Sequence, residues 1–330
     1  YTPATGGDPI MSGCPNNAPR RMILLEDWLT LDRSNVPATF RFADEFNCAS
    51  VFIDRHLNEG RAAKAAIRTI DEDVTYAQLA ARVNRCGNAL LGLGIAPGAR
   101  LLLVVKDCPE FIYLVWGAIK AGIIPVPLNT LLTDHDYQFM IEDSECAAIV
   151  YSPEYANPVI SAAKLSNPRP AHVIAATGSR SIAELMDAAA PDLEVYPSGP
   201  DDDCLWLYSS GSTGNPKGVV HAHKDSAIVA QLFAVEAMGI TENDVIFSAA
   251  KLFFSYGFGN AMLFPLWLGA TSVLSDKLPT PEMTFEVIEQ FRPTVYFGVP
   301  TLYARQLAAL EAAKPDLSSI RIAISAGEPL

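Results

Sequence analysis

Apolar positions along the chain follow two different periods. Over residues 76–94, Leu79, Val83, Leu90 and Leu91 recur at the spacing of a helix with one buried side. Thr75 is placed to cap its start, and Gly92 and Gly94 to stop it. Residues 71–75, just before, read as a turn. The run Arg100-Leu-Leu-Leu-Val-Val105 shows no alternation; a strand apolar on both sides is one buried on both faces, as in a parallel sheet. A helix over 109–121 opens with proline, tolerated where the first N–H has no helical partner. Further strands are predicted at 147–151, 173–176, 204–208, 245–249, 271–274, 294–297 and 320–325, with helices at 281–291 and 301–313. Such alternation of strand and helix means an α/β fold with right-handed crossovers, in which mostly parallel sheets are layered between flanking helices.

Half of the 330 residues are hydrophobic and only 18% are charged, so a sizeable core is expected and global disorder is excluded. At roughly 150 residues per domain the length favours about two units. Residues 1–36 read as an irregular N-terminal extension, within which Met22 is a candidate start. Residues 37–200 are expected to form a first α/β subdomain and 201–330 a second that carries the motifs, with the Pro/Gly/Asp-rich stretch 197–203 as linker. Asp201, Asp202 and Asp203 read as a solvated turn without a basic partner. The apolar run 258–274 is interrupted by Asn260 and Pro265 and is shorter than the roughly 20 residues a bilayer needs, so it reads as buried core and no membrane is expected. No charged leader precedes an apolar stretch, and a cytoplasmic location is expected.

Twenty-four basic against 37 acidic side chains leave a net charge of −13, with no long basic run, which speaks against nucleic acid as a partner. A small anion is not excluded, because local backbone dipoles can override the global field. The six cysteines are scattered singly with no CxxC pair, a pattern against a zinc ribbon or a disulfide scaffold. His221 and His223 are expected to point away from each other, each as a hydrogen-bonded structural residue, and no metal ligands are assigned.

The most informative stretch is 208–218, Tyr-Ser-Ser-Gly-Ser-Thr-Gly-Asn-Pro-Lys-Gly, which follows an apolar strand. Ligands of α/β proteins bind at the carboxyl ends of strands. Gly211, Gly214 and Gly218 permit close approach of the backbone, Ser209, Ser210, Ser212 and Thr213 add hydroxyl donors, and Lys217 adds a positive charge. Amides, hydroxyls and an ammonium on one loop make a polyphosphate cradle. A Walker A loop does not fit: Lys217 is followed by Gly218 rather than Ser or Thr, Pro216 precedes it, and 219–221 looks extended, so the loop is expected to join two strands.

Segment 209–218 resembles the phosphate loop of the acyl-adenylate-forming superfamily, which holds acyl-CoA ligases, luciferases and peptide-synthetase adenylation domains. Segments 40–49, 75–79, 117–126 and 325–330 resemble further family motifs in the same order, and the likeness covers 37–330. Segments 251–260 (KLFFSYGFGN) and 296–303 (YFGVPTLY) are similar to the benzoate–CoA ligase branch. The resemblance implies the family's N-terminal α/β/α domain, and activation of a small aromatic carboxylate by ATP with Mg2+, followed by transfer to CoA. It implies that Ser209, Ser210, Gly211, Ser212, Thr213, Gly214 and Lys217 meet the triphosphate, and that Gly327, Glu328 and Pro329 meet adenine, largely through backbone atoms. Phe254, Ser255, Tyr256 and Gly257 would then line the ring pocket, with Tyr296, Gly298 and Val299 closing its far side. By pattern alone core packing is the weightier reading of these aromatic segments, and the resemblance reverses that weighting. The alternatives are a general acyl-CoA ligase, an adenylation domain for another carboxylate, or a silent ATP- and carboxylate-binding fragment; a homodimer is among the expected assemblies. The family's acidic Mg2+ motif, hinge and catalytic lysine would lie past Leu330, so no catalytic residue is assigned and the chain alone is expected not to form thioesters.

Overall fold

The structure, a computed structural model, describes residues 25–34, 38–209 and 214–328. The apolar run at 100–105 forms the strand Arg100–Val104 inside a four-stranded, all-parallel sheet. The order is Ile124–Pro127, Arg100–Val104, Ala148–Tyr151, His172–Ala175. Leu101 to Val104 are all buried, and they divide between two separate core clusters, one on each face of the sheet. A second, six-stranded sheet runs Ile322–Ser325, Val295–Gly298, Val245–Ser248, Thr271–Val273, Ala65–Arg68, Asp73–Thr75, with every neighbouring pair parallel except the last. The α/β fold with mostly parallel sheets is as the pattern predicts.

The sheets do not divide where composition suggested, at 200/201. Strand Ala65–Arg68 lies beside Thr271–Val273, so the second sheet is built from both regions. The turn expected over 71–75 comes earlier: Thr69 Oγ1 accepts from the N–H groups of Asp71 and Glu72, and Asp73–Thr75 is a short strand. Three residues carry too little pattern to announce a strand. Asp201 does have a basic partner, Lys224, and Asp203 begins the strand Asp203–Ser209 instead of belonging to the turn.

Helix Tyr76–Gly92 starts at a reciprocal cap, in which Thr75 Oγ1 accepts from Gln78 N–H and Gln78 Oε1 accepts from Thr75 N–H. It packs on helix Pro109–Lys120 at a glycine crossing. A side chain at Gly117 would stand 2.8 Å from Cys86 Cβ and 2.9 Å from Gly87 N, closer than real contacts permit.

Run 258–274 is buried, as expected, in helical segments ending at Leu268 and then the strand Thr271–Val273. Its carbonyls are met from the first third of the chain. Arg55 Nη2 donates to Trp267 O, His56 Nε2 to Leu266 O at 2.6 Å, Lys64 Nζ to Gly269 O at 2.6 Å and Tyr76 Oη to Ala270 O at 2.7 Å. His56 Nδ1 accepts from Arg61 Nε, and burial with the nearby Arg55 charge pushes its pKa well below the usual value. The ring is therefore neutral and free to donate from Nε2. Among the described residues no helix is long and apolar enough to cross a membrane.

His221 and His223 stand in different environments, although residues two apart on one strand share a face. The strand ends at Ala222 with an irregular register, and His223 opens the helix His223–Val229, buried, while His221 stays part-exposed. Nor are all the cysteines isolated. Cys48 Sγ and Cys204 Sγ lie 3.5 Å apart, with His223 Nδ1 accepting from Cys48 N–H.

Gly117→Ala is expected to lower stability despite the roughly 1 kcal/mol that alanine normally adds to a helix interior. Cys86 Cβ and the backbone atoms Gly87 N and Val83 O cannot yield, and overpacking costs about 1–3 kcal/mol. A lower urea midpoint is the expected result; an unchanged or raised one would show that the helices can separate without cost.

Candidate functional site

The hydroxyl- and glycine-rich segment joins two antiparallel strands, Asp203–Ser209 and Lys217–Ala222, with Lys217 opposite Ser209 and Gly218 opposite Tyr208. Its base is anchored on the first sheet. Tyr208 Oη donates to Asp143 Oδ2 at 2.6 Å, and the Arg100 guanidinium lies over the Trp206 ring. Ser209, Gly214 and Lys217 are exposed at the hairpin's far end. Ser210, Gly211, Ser212 and Thr213 lie outside the described residues, as does Pro329. No hydrogen bond or ion pair among the described residues joins Ser209 or Lys217 to the other predicted site residues.

Those others converge on a second place. Strands Val245–Ser248, Val295–Gly298 and Ile322–Ser325 are parallel neighbours, so their carboxyl ends lie side by side. The segments that leave them are the predicted ones, the position at which α/β sheets hold ligands. Tyr256 Oη donates to Gly298 O at 3.2 Å, and Phe297 packs edge-on against the Tyr256 ring. Burial raises the Tyr256 hydroxyl to about 12, so it stays a donor at neutral pH. Gly327 takes a left-handed φ of 88°, which favours glycine, beside Val299. Both carboxylate oxygens of Glu328 are engaged by Thr301, one by its N–H at 3.0 Å and the other by its Oγ1 at 3.1 Å. Thr301 lies in the first turn of helix Pro300–Ala313, which has no cap from its own Val299. The Glu328 carboxylate therefore satisfies an orphan N–H and sits at the positive end of the helix.

Phe254 and Ser255 are exposed at this edge, Phe254 by half its surface. Gly257 is buried, and a Cβ there would fall 2.1 Å from Lys251 O, so no larger residue fits. Tyr296 sits in the core: its ring stacks on Phe247, meets Tyr303 edge-on, and its hydroxyl accepts from Gln306 Nε2 at 3.0 Å. Here the packing alternative describes the position, and Gly298 and Val299 stand at the strand end.

Asp107 was not legible as part of this site. It follows the carboxyl end of strand Arg100–Val104, is buried, and its Oδ1 accepts from Leu252 N–H at 3.1 Å while Lys251 Nζ stands 3.8 Å away. Lys251 in turn donates to Ser275 O and Lys277 O. The base of the segment 251–257 is thus tied to the first sheet. The only signal was an acid just past a buried strand, which reads equally as a turn. A cavity of about 280 Å3 is lined in part by Asp107, Ser275 and Lys277, and one of about 1260 Å3 opens elsewhere; none of the predicted site residues lines either.

Comparison with known proteins identifies the family. The family model described as AMP-binding enzyme matches residues 53–330. A benzoate–CoA ligase of Thauera aromatica is 43% identical over 302 residues, covering 91% of this chain and 57% of that protein. Among solved structures, a benzoate CoA ligase from Burkholderia xenovorans LB400 is similar with a TM-score of 0.77 at 40% identity, over 86% of this chain and 56% of that one. The anthranilate CoA ligase AuaEII, solved with anthranoyl-AMP, gives a TM-score of 0.83 at 34% identity, over 88% and 55% of the two chains. The chain spans about half the length of the curated relatives it matches.

Burial lifts the Asp107 carboxyl from 3.8 to about 6, against the pull of Lys251 and the Leu252 N–H. The folded state therefore holds more protons than the unfolded state between these values, and stability falls as pH rises through that window. The rise corresponds to about 3 kcal/mol at most. Urea midpoints measured from pH 4 to 7 are expected to show that slope in the natural chain and to lose it in Asp107→Asn. Parallel curves for the two proteins would mean that the carboxyl titrates normally.

Proposed function

The chain belongs to the family of AMP-binding enzymes, and on that footing we propose that it serves to activate a benzoate-like aromatic carboxylate with ATP. A carboxylate oxygen attacks the α-phosphorus and pyrophosphate leaves; the thiol of CoA then attacks the acyl carbon and AMP leaves. The observation that carries the aromatic reading is the joint between Tyr256 Oη and Gly298 O, which sets two aromatic-rich segments together at neighbouring strand ends. Its support is the similarity to ligases whose names specify benzoate and anthranilate. A flat ring fits aromatic and small neighbours, here Phe254, Tyr256, Gly298 and Val299, and aromatic contacts add about 0.5–1.5 kcal/mol beyond burial.

The obstacle to this reaction is electrostatic, since one anion must approach another in a chain of net charge −13. Preorganised donors answer it locally. In this reading the hairpin end, Ser209 to Lys217, receives the triphosphate: amides of Gly211 and Gly214, hydroxyls of Ser210, Ser212 and Thr213, and the Lys217 ammonium, which has no competing ion pair among the described residues. Gly327 and Glu328 receive adenine through backbone atoms, because the Glu328 carboxylate is already taken by Thr301. That engagement also leaves Glu328 unsuited to Mg2+, a hard cation held by free carboxylates and substrate phosphates. A cytoplasmic location, where ATP and CoA are both at hand, fits this reading.

Calorimetry on this chain tests the reading. ATP is expected to bind, and Lys217→Ala to weaken it about ten- to hundredfold, as expected for loss of one charged hydrogen bond. With nucleotide present, benzoate is expected to bind more tightly than a medium-chain fatty acid. Preference for the fatty acid would remove the aromatic assignment and leave a general acyl-CoA ligase, and absence of heat with ATP would remove the nucleotide site.

A further inference from the structure

The fold gathers one cluster that the reaction does not use. Cys48, Cys204 and His223 come from three separate elements: a helical turn near residue 50, the start of the hairpin strand Asp203–Ser209, and the start of helix His223–Val229. All three are at most 2% exposed. Their donor atoms lie within 4.8 Å of one another, and the two sulfurs are 3.5 Å apart.

We propose that Cys48, Cys204 and His223 form an internal binding site for a thiophilic divalent cation of the Zn2+ class. Zinc–sulfur bonds of about 2.3 Å and zinc–nitrogen bonds of about 2.0 Å place two sulfurs of a tetrahedral ion about 3.8 Å apart, close to the spacing found. His223 Nδ1 accepts a hydrogen bond from Cys48 N–H, a bond that ligation through the same lone pair would replace. Charge selects the valence. Binding releases two thiol protons, and two thiolates with a neutral imidazole around a divalent ion sum to zero, the arrangement that costs least in a buried place. A monovalent ion would leave a net negative charge there. Three protein donors leave one tetrahedral position for a further ligand.

A buried thiol pair needs no third donor in order to pack, and cysteines are common in cores; here an imidazole stands at the third corner and completes a donor set that suits a cation. The consequence is mechanical. A bound ion would pin both ends of the hairpin, at Cys204 and just beyond Ala222, to the segment around Cys48, and so hold the strands that carry 209–217. This inference does not depend on the substrate.

The test uses the whole chain, stripped with a chelator under reducing conditions and titrated with Cd2+ as a spectroscopic probe. A thiolate-to-cadmium charge-transfer band saturating at one equivalent is expected. With Zn2+ about a hundredfold above its dissociation constant, Tm is expected to rise by about 5 °C. Cys48→Ser and Cys204→Ser should abolish the band and the rise, and Cys146→Ser should keep both. Should the variants fail to fold, alkylation mapping of the natural chain identifies the thiols, since the metal should slow modification of Cys48 and Cys204 alone. No band at one equivalent, a band that survives in the Cys48→Ser/Cys204→Ser double variant, or protection of other thiols would overturn the proposal.

Discussion

Burying a long apolar run leaves peptide carbonyls without water, and each needs a partner inside the protein. In the stretch from Phe264 to Ala270 those partners are Arg55, His56, Lys64 and Tyr76, all from far earlier in the chain. The rest of the structure depends on this constraint. It fixes the run against the segment 55–76, and with it the parallel pairing of Ala65–Arg68 to Thr271–Val273. It also explains a buried histidine with both ring nitrogens used and no charge, since a protonated ring beside Arg55 would carry unpaired charge into the interior.

With the second sheet so closed, the site follows from direction alone. Parallel strands end on one side, so segments far apart in sequence leave the sheet as neighbours. Side chains then lock the exits to each other: Tyr256 to Gly298, Glu328 to Thr301, Leu252 and Lys251 to Asp107. Two of these locks are charged groups serving structure, which is why acids that look catalytic in the sequence need not be. The hairpin that carries Lys217 is anchored instead on the first sheet, through Tyr208 and Trp206. The proposed phosphate and ring-binding groups thus ride on different supports. A single substrate spanning both would couple them.

Much of the fold was legible because its signals are local. The helix at Tyr76 was marked by its Thr75–Gln78 cap, the helix Pro281–Phe291 by its proline start and apolar period, and the strand at Arg100 by unbroken apolar residues. The hairpin around 209–217 was legible from Pro216 before Lys217, Gly218 after it and an extended continuation. The short strand Asp73–Thr75 and the ion pair Asp201–Lys224 were not, since neither leaves a period.

By itself the sequence determined the α/β class, the buried strands and the segments that hold the proposed site, because backbone preference and burial act over a few neighbouring residues. Tertiary structure alone decided which of those segments meet. It put Tyr296 in the core and Tyr256 at the strand end, although both stand in aromatic segments, and it turned Glu328 toward Thr301. It also brought Cys48, Cys204 and His223 to one point from places 156 and 175 residues apart along the chain. Such meetings depend on sheet order and on how helices cross, and no pattern of nearby residues encodes them.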